Sequence, residues 1–414
     1  MASPQILHIL DKADYSNHRL VALPSHPLPA LAPSSLRLQS KILGLTTNNL
    51  GYARLGHLTG WWDVYPQPKN TPAPYDNRSI YGRISAWGYA EIIESTVPDI
   101  PVGTTVYGYL PTSNLPEDVR IEHTGLKDQI FVSSEHRQHL WEIYNRYQIC
   151  APLAELEKTK TLDSLGWDSL MQGLFGAGYN LNLCGFAWKD ELRIHPSGKG
   201  EWTAEDASLK DATVIVLSAS SKTALAFAHQ VRHNRPADHQ PRTVIGVCSS
   251  ASRATTVASG FYDQVILYSD DKITKDAISK DKPNRTVLID FGAREGARET
   301  WNATLSTLNS PRSYTFMSVG GEVKVQSVED IRAQFAANRN TIQVNTSYLQ
   351  EKGIEVGGDA YLGAFYKKFD EFKAQGGIPG VTLKWGEGMK ALEKGWEALC
   401  RDEVSAGTGL VYRL

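Results

Sequence analysis

Five short runs of apolar, mostly β-branched residues recur in the middle of the chain, and they restrict its fold more than any other feature. They begin at Ala212, Thr243, Gln264, Thr286 and Ser313, so their starts are separated by 31, 21, 22 and 27 residues. Each interval has room for one helix, and continuous apolar runs are typical of strands buried on both faces. Such alternation predicts a parallel, doubly wound sheet with right-handed crossovers. Ligands bind these sheets at the carboxyl ends of the strands.

The flanking regions have different patterns. Residues 1–155 are predicted to be mostly β, because runs such as KILGLTTNNL, ARLGHL and TTVYGYL are separated by Pro and Gly at intervals too short for helices. The segment 133–149, SSEHRQHLWEIYNRYQI, is typical of a helix that leaves a sheet. After about residue 321 come three helical stretches and a final β-like run, TGLVYRL. This last run is predicted to rejoin the amino-terminal sheet.

Charge and cysteine usage exclude several classes of protein. Lys and Arg number 43 and Asp and Glu 45, which leaves a formal net charge of −2 and no basic block for nucleic acid or an anionic membrane. Cys150, Cys184, Cys248 and Cys400 lack the close pairs of a zinc ribbon or a disulfide framework. No apolar run approaches membrane-spanning length. We therefore expect a cytoplasmic protein whose partner is a small molecule.

The turn after the first apolar run is rich in hydroxyl residues. A dinucleotide-binding fold usually has G-x-G-x-x-G here, at the start of a helix. Small side chains still let a diphosphate approach the backbone, and the helix amino terminus supplies free N–H groups and a positive dipole end. The alternative is that the hydroxyl groups only cap the helix, with the lysine solvated. The predicted cofactor-binding residues of this turn are Ser218, Ser220, Ser221, Lys222 and Thr223.

The end of the second run indicates which dinucleotide binds. NAD-binding chains place an acidic residue there for the ribose 2′-OH, whereas NADP-binding chains supply cations or hydroxyl groups. Here Cys248 is followed by Ser249, and Arg253 lies four residues further, with no acid between them. We therefore predict that Ser249 and Arg253 bind the 2′-phosphate of NADPH. An exposed arginine that begins a surface helix is the other interpretation.

Two further turns are expected at the same edge of the sheet. Phe291 and Gly292 follow the fourth run, and Gly320 follows the fifth. Glycine allows close backbone approach, which the nicotinamide half of the dinucleotide needs. Each glycine also suits an ordinary tight turn between a strand and a helix. We predict that Phe291, Gly292 and Gly320 contact the cofactor.

The predicted chain has a β-rich first part, a doubly wound middle and a carboxy terminus that returns to the first part. This combination is similar to a known family. ISAWGYAEIIES and VGTTVYGYLPTS add to this similarity, and the second is similar to a G-D-x-V-x-G turn. The chain resembles the medium-chain dehydrogenase/reductase superfamily, nearest its zinc-free quinone oxidoreductase and enoyl reductase branch, and within it the DUF2855 family. The resemblance implies an α/β fold: a GroES-like, β-rich catalytic domain over 1–155, a doubly wound Rossmann domain over 156–335, and a segment over 336–414 that returns to the catalytic domain.

The chain departs from the zinc-dependent members of that superfamily. Asn48 and Asn49 stand where those members have a cysteine, and Trp87, Gly88 and Tyr89 stand where they have Gly-His-Glu. The histidines His57, His123 and His136 lack Cys or paired acids at ligand spacing. We therefore expect no metal site.

The resemblance also implies a source for the proton. In quinone-reductase-like members an Asn and Tyr cluster lines the nicotinamide cleft, and the matching segment here contains Asn48, Asn49 and Tyr52. Asn48 would position the carboxamide or the substrate oxygen, and Tyr52 is the candidate acid. Asn-Asn-Leu-Gly is also a good turn, and Tyr52 equally suits packing. Three aromatic residues are expected to cover the cleft above a planar substrate, the alternative being that they pack in the hydrophobic core: Trp61, Trp62 and Tyr65.

Three functions are compatible with these features. We favour an NADPH-dependent, zinc-independent reductase of an activated C=C bond or a quinone-like carbonyl on a small aromatic or apolar substrate. The glycine-free turn motivates a second hypothesis, a cofactor-independent lyase, isomerase or hydrolase that uses Tyr52 as acid and base. The third is a non-catalytic nucleotide sensor or scaffold. Homodimers are common in the resembled superfamily, but no sequence patch demonstrates one.

Overall fold

The computed structural model describes residues 4–24, 26–270, 285–294, 296–310, 313–337 and 341–414. Its strands are β1 (Ile6–Asp11), β2 (His18–Ala22), β3 (Ser35–Leu45), β4 (Tyr81–Gly82), β5 (Ser85–Ser95), β6 (Thr105–Pro111), β7 (Glu117–His123), β8 (Gln129–Val132), β9 (Arg146–Cys150), β10 (Thr213–Leu217), β11 (Thr243–Cys248), β12 (Gln264–Leu267), β13 (Thr286–Phe291), β14 (Tyr314–Gly320), β15 (Ile342–Gln343), β16 (Thr382–Glu387) and β17 (Thr408–Arg413). Its helices are α1 (Thr47–Thr59), α2 (Leu153–Thr159), α3 (Leu162–Asn180), α4 (Ala204–Ala207), α5 (Lys222–His233), α6 (Arg253–Ala258), α7 (Ala297–Leu308), α8 (Val328–Ala337), α9 (Thr346–Ala374) and α10 (Gly388–Cys400).

The five apolar runs form the parallel sheet that their spacing predicts. The strand order is β12-β11-β10-β13-β14-β15, and every neighbouring pair is parallel. The chain begins this sheet at its centre, extends it in one direction and then returns to extend it in the other. The strand order therefore reverses between β10 and β13, where open α/β sheets bind their ligands.

Both faces of the parallel sheet are covered, which explains why its strands are predominantly apolar. All five residues of β10 are buried. Helix α5 packs on one face through Ala224, Phe227 and Val231. Helix α7 packs on the other face through Trp301 and Leu305.

The amino-terminal part is built on a closed sheet. Strands β3, β5, β6, β9, β8 and β7 are neighbours in that order, and an additional pairing of β3 with β7 closes them into a barrel. The carboxy-terminal strand β17 returns to this barrel and pairs antiparallel with β3, while β16 extends it in parallel. Strands β2, β1 and β4 form a separate small sheet. This is the β-rich, GroES-like unit that the resemblance implies, beside a Rossmann unit.

Two local predictions were wrong, and a third was wrong in part, because the second half of KILGLTTNNL caps and begins α1. ARLGHL, residues 53–58, lies within α1 and not in a strand, because the Thr46 side chain and the Asn49 side chain cap this helix reciprocally. The segment 133–149 is not one helix but two single helical turns followed by the start of β9. Its Arg137 is fully buried, where it hydrogen-bonds Asn145 and the Tyr147 hydroxyl. These contacts outweigh the helical periodicity of the segment.

The barrel and the helices beside it are joined by a buried carboxylate. Asp168 of α3 accepts a hydrogen bond of 2.7 Å from the Tyr89 hydroxyl of β5 and one of 2.8 Å from Lys160 Nζ. Its other oxygen is paired with Lys373 of α9. The side chains of Asp168 and Lys373 are 2% and 7% exposed, so this ion pair is shielded from water.

The longest helix, α9, is 29 residues long and kinked at Gly358. Charged side chains are distributed along it, including Lys367, Lys368 and Asp370. Within the described ranges, no helix combines the length and the apolar character that crossing a bilayer requires.

Candidate active site

The turn from Ser218 to Thr223 lies at the carboxyl end of β10, beside the reversal of strand order. Ser218 has a φ of +55°, in the left-handed region that favours glycine. Ser221 is the N-cap of α5, and its hydroxyl accepts a 3.3 Å hydrogen bond from the Ala224 amide. The hydroxyl of Ser221 thus caps the helix, as the alternative interpretation of this turn proposed.

Several polar groups of the same turn have no partner. In the part of the chain that the structure describes, the amides of Ser220, Lys222 and Thr223 have no hydrogen-bond acceptor, and the Lys222 ammonium forms no ion pair. Lys222 is half-buried, and burial lowers its pKa to about 8. Free amides beside an uncompensated cation at a helix amino terminus form an environment that suits an anion.

The end of β11 presents hydroxyl groups and a cation. The hydroxyl groups of Ser249 and Ser252 lie 3.0 Å apart, and Ser249 is exposed. Arg253 begins α6, is exposed, and has no ion-pair partner among the residues described. No acidic residue occupies positions 248–253.

The turns after β13 and β14 contact each other. Gly292 has a φ of +108°, and a Cβ on it would lie 2.9 Å from the Gly321 carbonyl oxygen, so this position needs glycine. A Cβ on Gly320 would lie 3.3 Å from the carbonyl oxygen of Phe291. The Phe291 side chain instead packs in the core, with its ring 5.9 Å from that of Phe227. The structure therefore brings Gly292 and Gly320 together and directs the Phe291 ring away from them.

Sequence reasoning missed Asp290, which shapes the first of these turns. One carboxylate oxygen of Asp290 accepts hydrogen bonds from the Gly292 amide at 2.9 Å and the Ala293 amide at 2.7 Å. Burial raises the pKa of this carboxyl to about 6. The sequence does contain a signal for this residue, namely an acid at the end of the otherwise apolar run TVLID.

Helix α1 lies against the loop that follows β14. Arg54 of α1 donates hydrogen bonds from Nε and Nη2 to Gln326 Oε1, at 2.9 and 2.7 Å. A Cβ on Gly321 would lie 3.2 Å from Arg54 Nη1. The helix that carries Asn48 and Tyr52 is therefore adjacent to the turns at the carboxyl edge of the parallel sheet.

Tyr52 lies at the centre of a cluster of hydrogen-bonding aromatic residues. Its hydroxyl oxygen accepts N–H bonds from Asn48 Nδ2 at 2.8 Å and Trp87 Nε1 at 3.2 Å, and the centroid of its ring lies 5.8 Å from that of Tyr144. Burial raises the pKa of Tyr52, and the bonds from Trp87 and Asn48 oppose that shift. Asn48 and Trp87 can only donate here, so both stabilise negative charge on the Tyr52 oxygen.

The other predicted residues of the cleft separate into two groups. Asn49 is buried, and its amide bonds the Thr46 N–H and the Ser85 carbonyl. Trp62 and Tyr65 are buried in the barrel core. Trp61 lines an open cavity of about 520 Å³ together with Trp141, and its ring lies 4.7 Å from that of Tyr52.

Sequence reasoning also missed Trp87 and Tyr144 as neighbours of Tyr52. In the sequence, Trp87 stands where zinc-dependent enzymes have part of a metal motif, which gives no sign of a contact with Tyr52. Tyr144 lies in the segment that was predicted to be a helix. Within the described ranges, no cluster of three or more His, Cys, Asp or Glu side chains has the geometry of a metal site.

A barrel of this kind beside a 3-2-1-4-5-6 parallel sheet is the fold of the medium-chain dehydrogenase/reductase superfamily. The family described as "Protein of unknown function (DUF2855)" matches residues 43–405, so the chain belongs to this family. By sequence, no curated protein matches the chain.

Solved structures share this fold over the whole chain. CurA from Vibrio vulnificus in complex with NADPH has 13% identity and a TM-score of 0.55, with 99% of this chain and 98% of that chain covered. A mutant form of enoyl thioester reductase from Candida tropicalis has 10% identity and a TM-score of 0.55, with both chains covered completely. A quinone oxidoreductase from Pseudomonas syringae pv. Tomato DC3000 has 14% identity and a TM-score of 0.51, with 99% and 100% covered. At these identities the likeness establishes the fold.

Proposed function

We propose that this protein is an NADPH-dependent, zinc-independent reductase of an activated C=C bond or a quinone-like carbonyl on a small aromatic or apolar substrate. One observation carries the proposal: an unpaired cation and free amides lie at the carboxyl end of β10, and the helix that bears Tyr52 contacts the loop after β14 at the same edge of the sheet. The structural neighbours support it, since one is a complex with NADPH and others are described as an enoyl thioester reductase and a quinone oxidoreductase.

The residues present fit a dinucleotide. The amides of Ser220, Lys222 and Thr223 would hold the diphosphate, with the Lys222 ammonium compensating its charge. Ser249 and Arg253 would hold the 2′-phosphate, because a guanidinium binds phosphate oxygens in pairs and no acid repels them. Gly292 and Gly320 would admit the nicotinamide half. The Phe291 ring packs in the core, so only its backbone would contribute.

The side chains near Tyr52 would manage the proton. When bound, the reduced nicotinamide supplies a hydride to the substrate. Tyr52 is 3% exposed, so a substrate oxygen reaches its hydroxyl by displacing the exposed amide of Asn48. Trp87 then continues to donate to the Tyr52 oxygen, which stabilises the phenolate left after proton transfer, and the adjacent Tyr144 hydroxyl would return a proton to it.

The first test is direct binding of NADPH to the purified chain, followed by nicotinamide fluorescence. We expect micromolar affinity, and a preference for NADPH over NADH of about 10- to 100-fold, because charge-assisted phosphate contacts are worth about 1.5–3 kcal/mol. Arg253→Ala should remove most of that preference by weakening NADPH binding while leaving NADH binding unchanged. Arg242→Ala removes a guanidinium that lies just before β11, at the opposite end of that strand, so it is the matched control and should leave both affinities unchanged.

Each alternative hypothesis has its own outcome in this experiment. Absence of binding at millimolar NADPH and NADH would refute the reductase and leave the cofactor-independent enzyme. NADPH binding without oxidation by any quinone or enone would favour the nucleotide sensor.

NADPH binding should also depend on pH through Lys222. The pKa of this ammonium is about 8, so it is charged below pH 8 and neutral above it. The 2′-phosphate, with a second pKa of about 6, keeps its charge above pH 7. We expect the affinity to fall about tenfold between pH 7 and 9.5, as the cation opposite the diphosphate is lost.

The control for this pH dependence is Lys222→Met, which keeps the length and apolar character of the side chain. In this variant the affinity should be about tenfold lower at pH 7 and nearly constant up to pH 9.5. A variant that retains the wild-type decline would show that another group titrates.

A further inference from the structure

The glycine-free turn raises a physical question that the proposed function leaves open. Ser218 adopts the left-handed conformation with a φ of +55°, which glycine adopts without steric cost and serine does not. A turn that must keep its amides in place for a diphosphate therefore needs external support at this residue.

Two tyrosines provide contacts to the backbone of this turn. The Tyr268 hydroxyl accepts a 2.8 Å hydrogen bond from the Ser218 amide. The Tyr262 hydroxyl donates a 2.8 Å hydrogen bond to the carbonyl oxygen of Ala219. Both tyrosines come from the segment around β12, more than 40 residues from the turn in sequence.

The tyrosines approach the turn from opposite faces of the sheet. Tyr262 packs in the core that lies under α5, and Tyr268 packs in the core on the other side. The ring of Tyr262 lies over Gly246 of β11, where a Cβ would be 2.9 Å from the Tyr262 Cγ. This contact explains a glycine in the middle of a buried strand, where glycine otherwise weakens a sheet.

The amides that these bonds leave free are the ones that the proposed cofactor needs. Ser218 donates to Tyr268, Ala219 donates to the Val247 carbonyl, and Ser221 donates to the Ser218 carbonyl. The amides of Ser220, Lys222 and Thr223 remain available. The two tyrosines thus hold the first residues of the turn and leave the amides that would face the diphosphate unpaired within the described part of the chain.

We propose that Tyr262 and Tyr268 are positioning residues that replace the glycines of a dinucleotide turn by clamping Ser218 and Ala219 from both faces of the sheet. The proposal rests on the proposed function for its ligand, NADPH. Its structural part, that the tyrosine hydroxyls fix the turn, concerns the protein without nucleotide.

The decisive test is a rescue experiment. Tyr268→Phe removes the hydroxyl and should weaken NADPH binding about tenfold, as measured by isothermal titration calorimetry. Tyr268→Phe combined with Ser218→Gly should bind within about threefold of the wild type, because glycine needs no clamp to adopt the left-handed conformation. Gly246→Ala should displace the Tyr262 ring and weaken binding without changing any hydroxyl group.

The matched control is Tyr314→Phe in the same sheet. The Tyr314 hydroxyl hydrogen-bonds Asn302 at the first residue of β14, so its loss should leave NADPH affinity unchanged. Amide hydrogen exchange without nucleotide supplies a second measurement. The Ser218 amide should exchange about tenfold faster in Tyr268→Phe than in the wild type or Tyr314→Phe.

The outcomes separate this inference from the proposed function. Unchanged NADPH affinity and unchanged exchange in Tyr268→Phe would refute the clamp, and so would failure of Ser218→Gly to restore binding. If the wild type binds no dinucleotide while the Ser218 amide still exchanges faster in Tyr268→Phe, the clamp stands and the reductase does not.

Discussion

Tyr52→Phe is expected to lower the rate of NADPH oxidation with quinone or enone acceptors by about 10²- to 10³-fold, as measured by loss of nicotinamide absorbance. The Tyr52 hydroxyl is the proposed proton source, and phenylalanine retains the ring that packs against Trp61 and Tyr109. Because Tyr52 is not a proposed cofactor ligand, NADPH affinity should be unchanged. The effect should therefore appear in kcat.

Variants of two other tyrosines test how the Tyr52 hydroxyl acts. Tyr144→Phe should lower the rate less, about tenfold, because it removes a hydroxyl beside Tyr52 and not the proposed donor. Tyr314→Phe removes a phenol hydroxyl from the other sheet and should leave the rate unchanged. A Tyr52→Phe variant that retains more than about a third of the wild-type rate would contradict the proposed acid.

Asp168→Asn is expected to have the largest effect on stability, lowering the free energy of unfolding by about 3–5 kcal/mol in urea denaturation. The substitution keeps the shape of the side chain but removes its charge, which leaves the Lys373 ammonium, 7% exposed, with only the 68% exposed carboxylate of Asp370 as its ion-pair partner. Lys160 is 32% exposed and can be solvated after the substitution. The loss of stability therefore arises mainly at Lys373.

Two comparisons test that explanation. Asp168→Asn combined with Lys373→Met should recover most of the lost stability, because no buried charge is then unpaired. Asp402→Asn breaks an ion pair with Arg294 in which the Asp402 side chain is 64% exposed, and it should cost less than about 1 kcal/mol. A loss at Asp168 as small as the one at Asp402 would show that the buried network does not stabilise the junction.

The parallel sheet was predictable because its signal is local. Strands buried on both faces must be predominantly apolar. The six-residue run that begins at Thr243 satisfies this, and the one that begins at Thr286 departs from it with an acid only at Asp290. Prediction failed where a local pattern competes with distant contacts. ARLGHL has spacing compatible with a strand, but the reciprocal cap of Thr46 and Asn49 places it in a helix. The segment around Arg137 has helical periodicity, but buried hydrogen bonds determine its course.

The candidate site was predictable only in part. Asn48 and Tyr52 were expected together, and one turn of helix α1 joins them by a hydrogen bond. Their neighbours Trp87 and Tyr144 come from other elements, 35 and 92 residues beyond Tyr52 in the chain. Residues so far apart in sequence produce no periodic pattern from which their contact could be predicted. The roles assigned to Tyr52, Lys222 and Arg253 stay predictions for the experiments above.

The sequence by itself determined the order and the type of the main elements, because burial on both faces requires continuous apolar runs and the intervals between them hold the crossover helices. It also determined the absence of an acid at the end of β11, which is a matter of composition alone. Only the tertiary structure decided how a serine occupies a left-handed turn, since the supporting hydroxyl of Tyr268 is 50 residues away. Long-range hydrogen bonds depend on the fold as a whole, so no local pattern of residues encodes them.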